Sequence, residues 1–336
     1  MFRREYEVLS TMKTVNSRHL VKRLAAYKGG NSNIVGAFLF PWATSDLTGF
    51  WHKNSADHDT PQMYKWIFAQ IKGLAEALSL LDRAFETFKK NVRHGDLKPD
   101  NILWFSGPSK DDLGYLAIAD VGLAKVHAEI TKKRNGPTST LFASEPYAAP
   151  EMTFNPFKKP TSRKYDMWSM GCICIEAIIW LMYGQSELQR FTFGPSQASG
   201  NATRIVERFY TYDKLPITLT AKLDGRVNNW MEHIRKDELC GDHTAIQELL
   251  NFVRDRLLMP DPERRCSSEE FAGKMSEICN GLENQGLRIN SNGDSTPGTG
   301  PPDRGSGGLL RTLVLINRPS RSSTAPQTEV GFSPRK

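Results

Sequence analysis

Apolar residues recur at helical spacing over much of residues 1–283, and turn-forming residues separate these segments. In "PQMYKWIFAQIKGLAEALSLLDRAF" the apolar side chains include positions 63, 66, 67, 71, 74, 78 and 81, which is the spacing of a helix that buries one face. Pro61 suits the first turn of this helix, because a first turn leaves the backbone N–H unbonded in any case. The pattern predicts a long core helix that ends before a polar loop.

Two short apolar runs after this helix have the length of buried strands. "NILWF" ends at Phe105 and "YLAIAD" ends at Asp120, and the turn-rich "SGPSKDDLG" between them predicts that they form a strand pair. Further along, "KYDMWSMGCICIEAIIWLMY" is nearly all apolar after Asp166, which predicts a buried helix. Two closing helices are predicted from "TAIQELLNFVRDRLLMPDPERR" and "SSEEFAGKMSEICNGL", the second with Ser267 and Glu270 at the spacing of a capping box.

The composition changes at residue 284. The stretch "NQGLRINSNGDSTPGTGPPDRGSGG" holds almost nothing to bury, so residues 284–336 are predicted to be a disordered tail. Within it, "LLRTLVLI" at 309–316 is an apolar island. This island could be a docking strand or an unstructured patch, and the second interpretation is preferred.

Composition and charge exclude several classes of protein. The five cysteines contain no C-x-x-C pair, which argues against a disulfide scaffold or zinc site and favours buried thiols in a reducing, intracellular compartment, cytoplasmic or nuclear. The net charge is +7, but residues 1–283 carry 37 Lys/Arg against 34 Asp/Glu, so nucleic-acid binding is not indicated. No apolar run reaches the roughly 18 residues of a membrane span, and no signal-peptide core is visible. The oligomeric state is left open.

The loop in "VRHGDLKPDNILWF" concentrates polar groups directly before a predicted strand. Asp96, Lys98 and Asn101 lie at spacings of two and three, and Asp120 arrives on the neighbouring strand. A carboxylate can orient and deprotonate a hydroxyl, and a lysine can neutralise a phosphoryl oxygen. An amide oxygen with a second carboxylate provides the oxygen ligands that Mg²⁺ prefers. These are the parts of a phosphoryl-transfer site.

Five motifs together resemble those of eukaryotic protein kinases. "HGDLKPDN" resembles their catalytic loop, "DVG" their magnesium-binding Asp-Phe-Gly, and "YAAPE" the Ala-Pro-Glu that closes the activation segment. "YDMWSMGCICIE" resembles the buried helix whose aspartate anchors the catalytic loop, and "DPERR" resembles the late arginine motif, which implies an Arg265–Glu151 pair. The motifs occur in family order over about residues 1 to 283. "FLFPWATSDLTGFW" with the catalytic loop is most similar to kinase-like domains of filamentous fungi.

The resemblance implies a role for each matching residue. Asp96 matches the catalytic base, and Lys98 matches the lysine that contacts the γ-phosphate in serine/threonine kinases. Asn101 and Asp120 match the magnesium ligands. For the adenine of ATP, the resemblance implies a backbone contact at Ala43, packing against Leu103, and a gatekeeper at Phe40. Each assignment has a plainer alternative, such as a turn aspartate at 96 or a core leucine at 103, but the ordered motifs favour the functional one.

Three departures from the family pattern bear on activity. Gly95 replaces the arginine that often grips an activation-loop phosphate, and Val121 replaces a phenylalanine. "FRREYEVLSTM" resembles the regulatory helix, with Glu5 (less favoured, Glu7) as its ion-pairing glutamate. The Gly-rich loop and the lysine that pairs with this glutamate are expected before that helix, where the given sequence begins. A free sheet edge and an uncovered sheet face are therefore expected.

The predicted fold is α+β, a protein kinase-like two-lobe fold with a partial N-terminal lobe and a mainly helical C-terminal lobe. Its predicted parts are residues 1–43 (regulatory helix and two strands), 44–283 (C-terminal lobe) and 284–336 (tail). The first functional hypothesis is a serine/threonine protein kinase that uses ATP and Mg²⁺ on a protein substrate; whether this chain is active is left open. The alternatives are a pseudokinase or scaffold that binds partners through the C-terminal lobe, and, more remotely, a small-molecule phosphotransferase.

Overall fold

The computed structural model places a small β-rich part before a mainly helical part, which confirms the predicted α+β class. It describes residues 2–29, 35–87, 93–109, 111–121, 145–154, 163–193, 208–214, 219–284, 288–289 and 313–314. The α-helices are α1 (Phe2–Thr14), α2 (Leu47–Lys53), α3 (Pro61–Thr87), α4 (Glu151–Phe154), α5 (Lys164–Phe193), α6 (Gly225–Arg235), α7 (Ala245–Phe252) and α8 (Ser268–Asn284). The strands are β1 (Ala25–Gly29), β2 (Val35–Leu39), β3 (Ser45–Asp46), β4 (Ile102–Phe105), β5 (Tyr115–Ile118), β6 (Tyr210–Lys214), β7 (Leu219–Leu223), β8 (Arg288–Ile289) and β9 (Leu313–Val314).

The N-terminal part combines α1 with the antiparallel pair β1–β2, as the sequence predicts. Ala25 pairs with Leu39 and Gly29 with Val35. The expected uncovered face is present, because four large apolar side chains around this pair are 59% to 94% exposed: Leu24, Tyr27, Leu39 and Trp42. In β1 and β2, only the edges that face each other are paired among the residues that the structure describes.

The sheet β3-β4-β5 connects this part to the polar loop. The predicted β4–β5 pairing is confirmed, with Ile102 opposite Ile118. Ile102 and Trp104 point into the main core, whereas Leu103 packs with a small separate cluster that includes Val21 and Ala117. The alternation places Leu103 on the opposite face of β4 from the main core, as expected of a strand.

Helix α5 is the centre of the helical part. Every residue from Tyr165 to Met182 is buried, so this part of the helix shows no apolar stripe and its sequence reads as one nearly apolar run. Its length and composition would also suit a membrane span, but 94% of its most apolar window is buried within the protein, as in a core helix. The five cysteines are all free and buried, which confirms their assignment as core residues.

The closing helix α8 packs along α3. The predicted capping box at its start is confirmed: Glu270 N donates to Ser267 Oγ at 3.2 Å, and Ser267 N donates to Glu270 Oε2 at 2.7 Å. The hairpin β6–β7 and helix α6 were not predicted from the sequence. Within the predicted tail, Leu313 and Val314 of the apolar island pair with Arg288 and Ile289, so two of its residues form a short strand; its other residues lie outside the described ranges.

A half-buried carboxylate connects α3, α8 and the residue directly before α5. Asp82 near the end of α3 accepts a hydrogen bond from Ser268 Oγ of α8 at 2.6 Å, and Arg163 Nε lies 3.6 Å from its Oδ1. Arg163 also pairs with Glu86. Burial raises the pKa of Asp82 from 3.8 to about 6, and the charge of Asp166 acts in the same direction. Asp82 therefore remains a desolvated anion near neutral pH.

We expect Asp82→Asn to stabilise the protein at pH 7.5. Because the folded-state pKa lies above the ordinary value, the stabilising contribution of Asp82 is fully present below pH 4 and is lost as the pH rises through about 6. Asparagine has no charge to desolvate, so the free energy of unfolding should rise by about 1 to 3 kcal/mol at pH 7.5. Urea unfolding at pH 4.5 and 7.5 measures this difference.

The exposed Asp111→Asn is the control and should leave stability unchanged at both pH values. A stability gain that is equal at pH 4.5 and 7.5 would contradict the assignment, because it could not come from the charge of Asp82.

Candidate active site

The backbone of the polar loop is hydrogen-bonded to one buried carboxylate on α5. Asp166 Oδ2 accepts the backbone N–H of His94 and Oδ1 accepts the N–H of Gly95, both at 2.8 Å. Asp166 is only 4% exposed, so both charge-assisted bonds form away from water, where they are strong. The expectation that this aspartate anchors the loop is confirmed.

His94 bridges the loop to the end of β5. Its Nε2 lies 2.6 Å from the Ala119 carbonyl, and its Nδ1 accepts the Asp96 backbone N–H at 3.2 Å. Because Nδ1 acts as acceptor, Nε2 is the nitrogen that donates to the Ala119 carbonyl. The next residue, Gly95, has φ of +76°, a region that glycine occupies without steric cost. The departure at Gly95 therefore suits the local backbone.

Asp96, Lys98 and Asn101 come together as the sequence analysis expects. Lys98 Nζ lies 3.5 Å from Asp96 Oδ2. Asn101 Nδ2 donates to the Asp96 carbonyl at 2.7 Å and to its Oδ2 at 3.2 Å. The side chains of Asp96 and Lys98 are 29% and 22% exposed, so both can be reached from solvent. Residues Pro99–Asn101 form one 3₁₀ turn that leads directly into β4, which holds the three groups on a short rigid connection.

Asp120 is brought beside Asn101 by the backbone. Ala119 N donates to the Asn101 carbonyl at 2.9 Å, which joins the two predicted metal-binding segments. Asp120 is exposed and has φ of +56°, an uncommon value for a residue other than glycine. Because the Asn101 amide nitrogen bonds to Asp96, its amide oxygen faces away from Asp96. Asn101 and Asp120 thus offer one amide oxygen and one carboxylate on neighbouring segments.

This donor set fits Mg²⁺ bound together with a nucleotide. Among the described residues, no group of three His, Cys, Asp or Glu side chains could hold a metal by itself. Mg²⁺ commonly uses one or two protein oxygens and takes further ligands from substrate phosphates and water. Asn101 and Asp120 are therefore suited to a metal that arrives with its substrate.

Of the residues predicted to contact adenine, Leu103 lies within β4 and Ala43 lies beside its Trp104 end. Leu103 is half-buried on the small apolar cluster, and Thr44 N, directly after Ala43, donates to the Trp104 carbonyl at 2.8 Å. Ala43 is therefore held close to β4, while Phe40 is 38% exposed. The side chains of Glu5 and Glu7 lie outside the described part of the structure, although both residues belong to α1.

The segment from Glu145 to Glu151 is held against the helical part. The predicted Arg265–Glu151 pair is confirmed, with Arg265 Nη1 and Nη2 at 2.9 and 3.1 Å from the two carboxylate oxygens. Arg265 has a fully buried side chain, and it also donates to the carbonyls of Met259 and Lys164. These extra bonds satisfy the buried guanidinium and so compensate its desolvation.

Two contacts of this segment were not predicted from the sequence. The Tyr147 hydroxyl lies 2.9 and 3.1 Å from the carboxylate oxygens of Glu176, and Ser169 Oγ donates to the Tyr147 carbonyl at 2.9 Å. Ser169 and Glu176 are the polar exceptions in the otherwise apolar part of α5 that runs from Met167 to Tyr183. A buried polar residue in such a run signals a required hydrogen bond, and this signal was available in the sequence.

Comparisons with known proteins agree with the geometry. A family described as protein kinase domain matches residues 4–275. The mouse protein serine/threonine-protein kinase ULK3 is 27% identical over 263 residues, which are 78% of this chain and 43% of that protein. The Caenorhabditis elegans serine/threonine-protein kinase sgk-1 is 37% identical over 93 residues, or 28% of this chain and 17% of that protein. The chain spans less than half the length of these curated relatives.

Asp166→Ala should loosen the polar loop. The His94 and Gly95 N–H groups would both lose their acceptor in a buried position, which costs about 1 to 3 kcal/mol for each. We expect the free energy of unfolding to fall by about 2 to 5 kcal/mol, and amide hydrogen exchange at residues 94 and 95 to accelerate. Denaturant unfolding and exchange mass spectrometry measure these effects.

Asp224→Ala is a matched control, because Asp224 is also buried and also accepts a backbone N–H, that of Arg226. It should destabilise the start of α6 without changing exchange at residues 94 and 95. Unchanged exchange in Asp166→Ala would show that the loop does not depend on this carboxylate.

Proposed function

Because the chain belongs to the protein kinase domain family, we propose that it is part of an ATP-dependent serine/threonine protein kinase. The observation that carries the proposal is the bonding of Asp96 to both Lys98 and Asn101 on a loop suspended from Asp166. This arrangement combines an accessible carboxylate, a cation and an amide within hydrogen-bond reach, which is what phosphoryl transfer to a hydroxyl requires. The sequence Leu97-Lys98-Pro99 supports serine/threonine rather than tyrosine specificity.

In the proposed reaction, the serine or threonine hydroxyl of a protein substrate attacks the γ-phosphorus of ATP, and ADP leaves. Asp96 accepts the hydroxyl proton and orients the attacking oxygen. Lys98, beside Asp96, neutralises charge on the transferred phosphoryl group. The hydrogen bonds from Asn101 keep the Asp96 carboxylate in one orientation, so little reorganisation is needed when the proton moves.

ATP and Mg²⁺ are the proposed cofactors. When bound, Mg²⁺ supplies positive charge against the phosphate oxygens. Asn101 and Asp120 would hold the metal, Leu103 would pack under the adenine, and the Ala43 backbone would face its edge. The half-buried position of Leu103 and the exposure of Asp120 support these assignments. The proposed partners are ATP and a protein substrate, with no nucleic acid and no membrane; the protein is proposed to act in the cytoplasm or nucleus, which five free buried cysteines support.

A second candidate is a pseudokinase that acts as a scaffold. It is favoured by the exposed apolar side chains around β1 and β2, among them Trp42 at 94% exposure, because large exposed apolar groups often mark binding surfaces. The two candidates differ in whether Asp96 and Asp120 matter for turnover and nucleotide binding.

Asp96→Asn tests the first candidate. Phosphate transfer from Mg²⁺-ATP to a generic basic protein should fall by about 10²- to 10⁴-fold, the usual share of a positioned general base. ATP affinity should change little, because Asp96 faces the acceptor. The assay compares residues 1–336 alone with the same residues fused behind the Gly-rich loop and lysine strand of a related kinase.

The exposed Asp57→Asn serves as the control and should retain activity. Near-normal phosphate transfer by Asp96→Asn would show that Asp96 is not the catalytic base. A well-folded fusion that transfers no phosphate would favour the pseudokinase.

Asp120→Ala tests the metal site. The substitution removes the carboxylate and leaves the Asn101 amide oxygen as the other proposed ligand. Mg²⁺-dependent ATP binding should therefore be lost. Thermal-shift titrations with ATP, with and without Mg²⁺, measure this in the fusion protein. An ATP-induced shift in Asp120→Ala that still depends on Mg²⁺ would mean that Asp120 is not a metal ligand.

A further inference from the structure

Arg23 lies between α1 and β2 with two of its guanidinium nitrogens unbonded. The residue is only 6% exposed. Its Cζ lies 4.2 Å from the centre of the Tyr6 ring and 5.5 Å from the centre of the Phe38 ring. Among the residues that the structure describes, neither Nε nor Nη1 of Arg23 has a hydrogen-bond partner. Because arginine stays charged in proteins, a positive charge is buried here with part of its donor capacity unused.

A buried guanidinium of this kind is costly unless an anion joins it. Removing an ion from water carries a large penalty, and attraction to the faces of aromatic rings offsets that penalty only in part. An unsatisfied buried group in a folded protein calls for an explanation, such as a bound ion. Guanidinium groups bind carboxylates and phosphates through charge-assisted hydrogen bonds, and these would occupy the unused donors. The surroundings of Arg23 therefore indicate an anion-binding site.

The backbone around Arg23 places this residue beside the proposed nucleotide site. Val21 donates its N–H to the Ile118 carbonyl at 2.8 Å, two residues before Asp120. The Val21 side chain packs in the small apolar cluster with Leu103, which is proposed to lie under the adenine. The chain thus runs from the wall of the adenine site directly to Arg23.

On its other side, Arg23 adjoins β2, the strand that leads to the proposed adenine contacts. Leu24 donates its N–H to the Leu39 carbonyl at 2.7 Å, so the backbone after Arg23 is bonded to the end of β2. Phe38, whose ring Arg23 approaches, precedes the proposed gatekeeper Phe40 by two residues. Arg23 is therefore bracketed by the two chain segments that approach the proposed nucleotide site from the N-terminal part.

The part of the chain around Arg23 is also the cationic part of the protein. Residues 1–34 contain seven Lys/Arg against two Asp/Glu, whereas residues 35–283 contain 30 Lys/Arg against 32 Asp/Glu. A local excess of positive charge attracts anions and raises their concentration near the surface. The phosphates of ATP are the anions that the proposed function brings to this part of the protein.

We propose that Arg23 is a nucleotide-binding residue, which bonds the phosphate chain of ATP from the side of α1 and β2. This inference rests on the proposed kinase function and deepens it, because it adds a cation from the N-terminal part to Lys98 on the polar loop. In the bound state the unused donors of Arg23 bond to phosphate oxygens. Arg23 takes no part in proton transfer, which is the proposed role of Asp96.

The test is Arg23→Met in residues 1–336. Methionine retains a flexible apolar side chain but removes the charge and the donors. The Kd for Mg²⁺-ATP, measured by isothermal titration calorimetry, should rise about tenfold, the effect of losing a charge-assisted hydrogen bond, while the Kd for adenosine stays within about twofold. Arg23→Lys retains the charge without the planar donor fork and should give an intermediate Kd for ATP. Without ligand, Arg23→Met should melt at a higher temperature than the wild-type protein, because no buried charge remains.

Arg18→Met is the matched control. The Arg18 guanidinium also lies over an aromatic ring, 4.3 Å from the centre of Tyr115, but Arg18 is exposed. This variant loses the same charge and should keep both dissociation constants. Equal weakening of ATP binding in Arg18→Met and Arg23→Met would show a general effect of net charge. A lower melting temperature of Arg23→Met with an unchanged affinity for ATP would show a structural arginine, and either result would overturn the inference.

A second measurement uses inorganic tripolyphosphate in place of the nucleotide. Because a ligand that binds the folded state stabilises it, tripolyphosphate should raise the melting temperature of the wild-type protein and of Arg18→Met but not of Arg23→Met. No shift in the wild-type protein, or an equal shift in Arg23→Met, would overturn the anion site.

The two failures are distinguishable by their ligands. Binding of ATP that depends on Asp120 but not on Arg23 would retain the proposed function and overturn the inference. Binding of tripolyphosphate through Arg23 by a wild-type protein that does not bind ATP would uphold the anion site and contradict the proposed function.

Discussion

The bond between the Asp166 carboxylate and the backbone of His94 and Gly95 is the contact on which the site depends. A loop of mixed polar residues has no core of its own, and its backbone groups need partners when they are buried. Asp166 supplies both acceptors from within α5, the most deeply buried helix. The charge is tolerated there because two N–H groups satisfy it directly. Because a core helix holds it, the loop is as rigid as the core and more rigid than a surface loop.

This rigidity extends outward in two directions from the same helix. Through His94, the loop is bonded to the Ala119 carbonyl and hence to the end of β5, where Asp120 follows. Through Ser169 and Glu176, the helix also holds the Tyr147 segment. The groups proposed for the base and the metal and the Tyr147 segment are thus all held by one helix. Catalysis that relies on positioning benefits from such a common reference, because its parts cannot drift independently.

Much of this could be predicted from the sequence, since the informative residues are polar groups in apolar surroundings. The β4–β5 pair, the capping box at Ser267 and the Arg265–Glu151 pair were all predicted, because short-range spacing or an ordered motif specifies them. The β6–β7 hairpin was missed: "YTYDK" and "LTAKL" alternate weakly, and their pairing depends on tertiary contacts. The bond between Tyr147 and Glu176 joins residues 29 apart, and no periodic pattern encodes a contact of that kind.

The two positive φ angles beside the site have different physical meanings. Gly95 at +76° needs no compensation, because it has no side chain to clash with the backbone. Asp120 at +56° carries a cost on the order of 1 kcal/mol that a glycine would avoid, and it persists because the bonds of Ala119 to His94 and Asn101 hold the preceding residue in place. A strained residue that the surroundings hold in place, with an exposed carboxylate, is retained at the expense of stability. This backbone geometry supports the proposal that Asp120 and Asn101 together hold a metal ion.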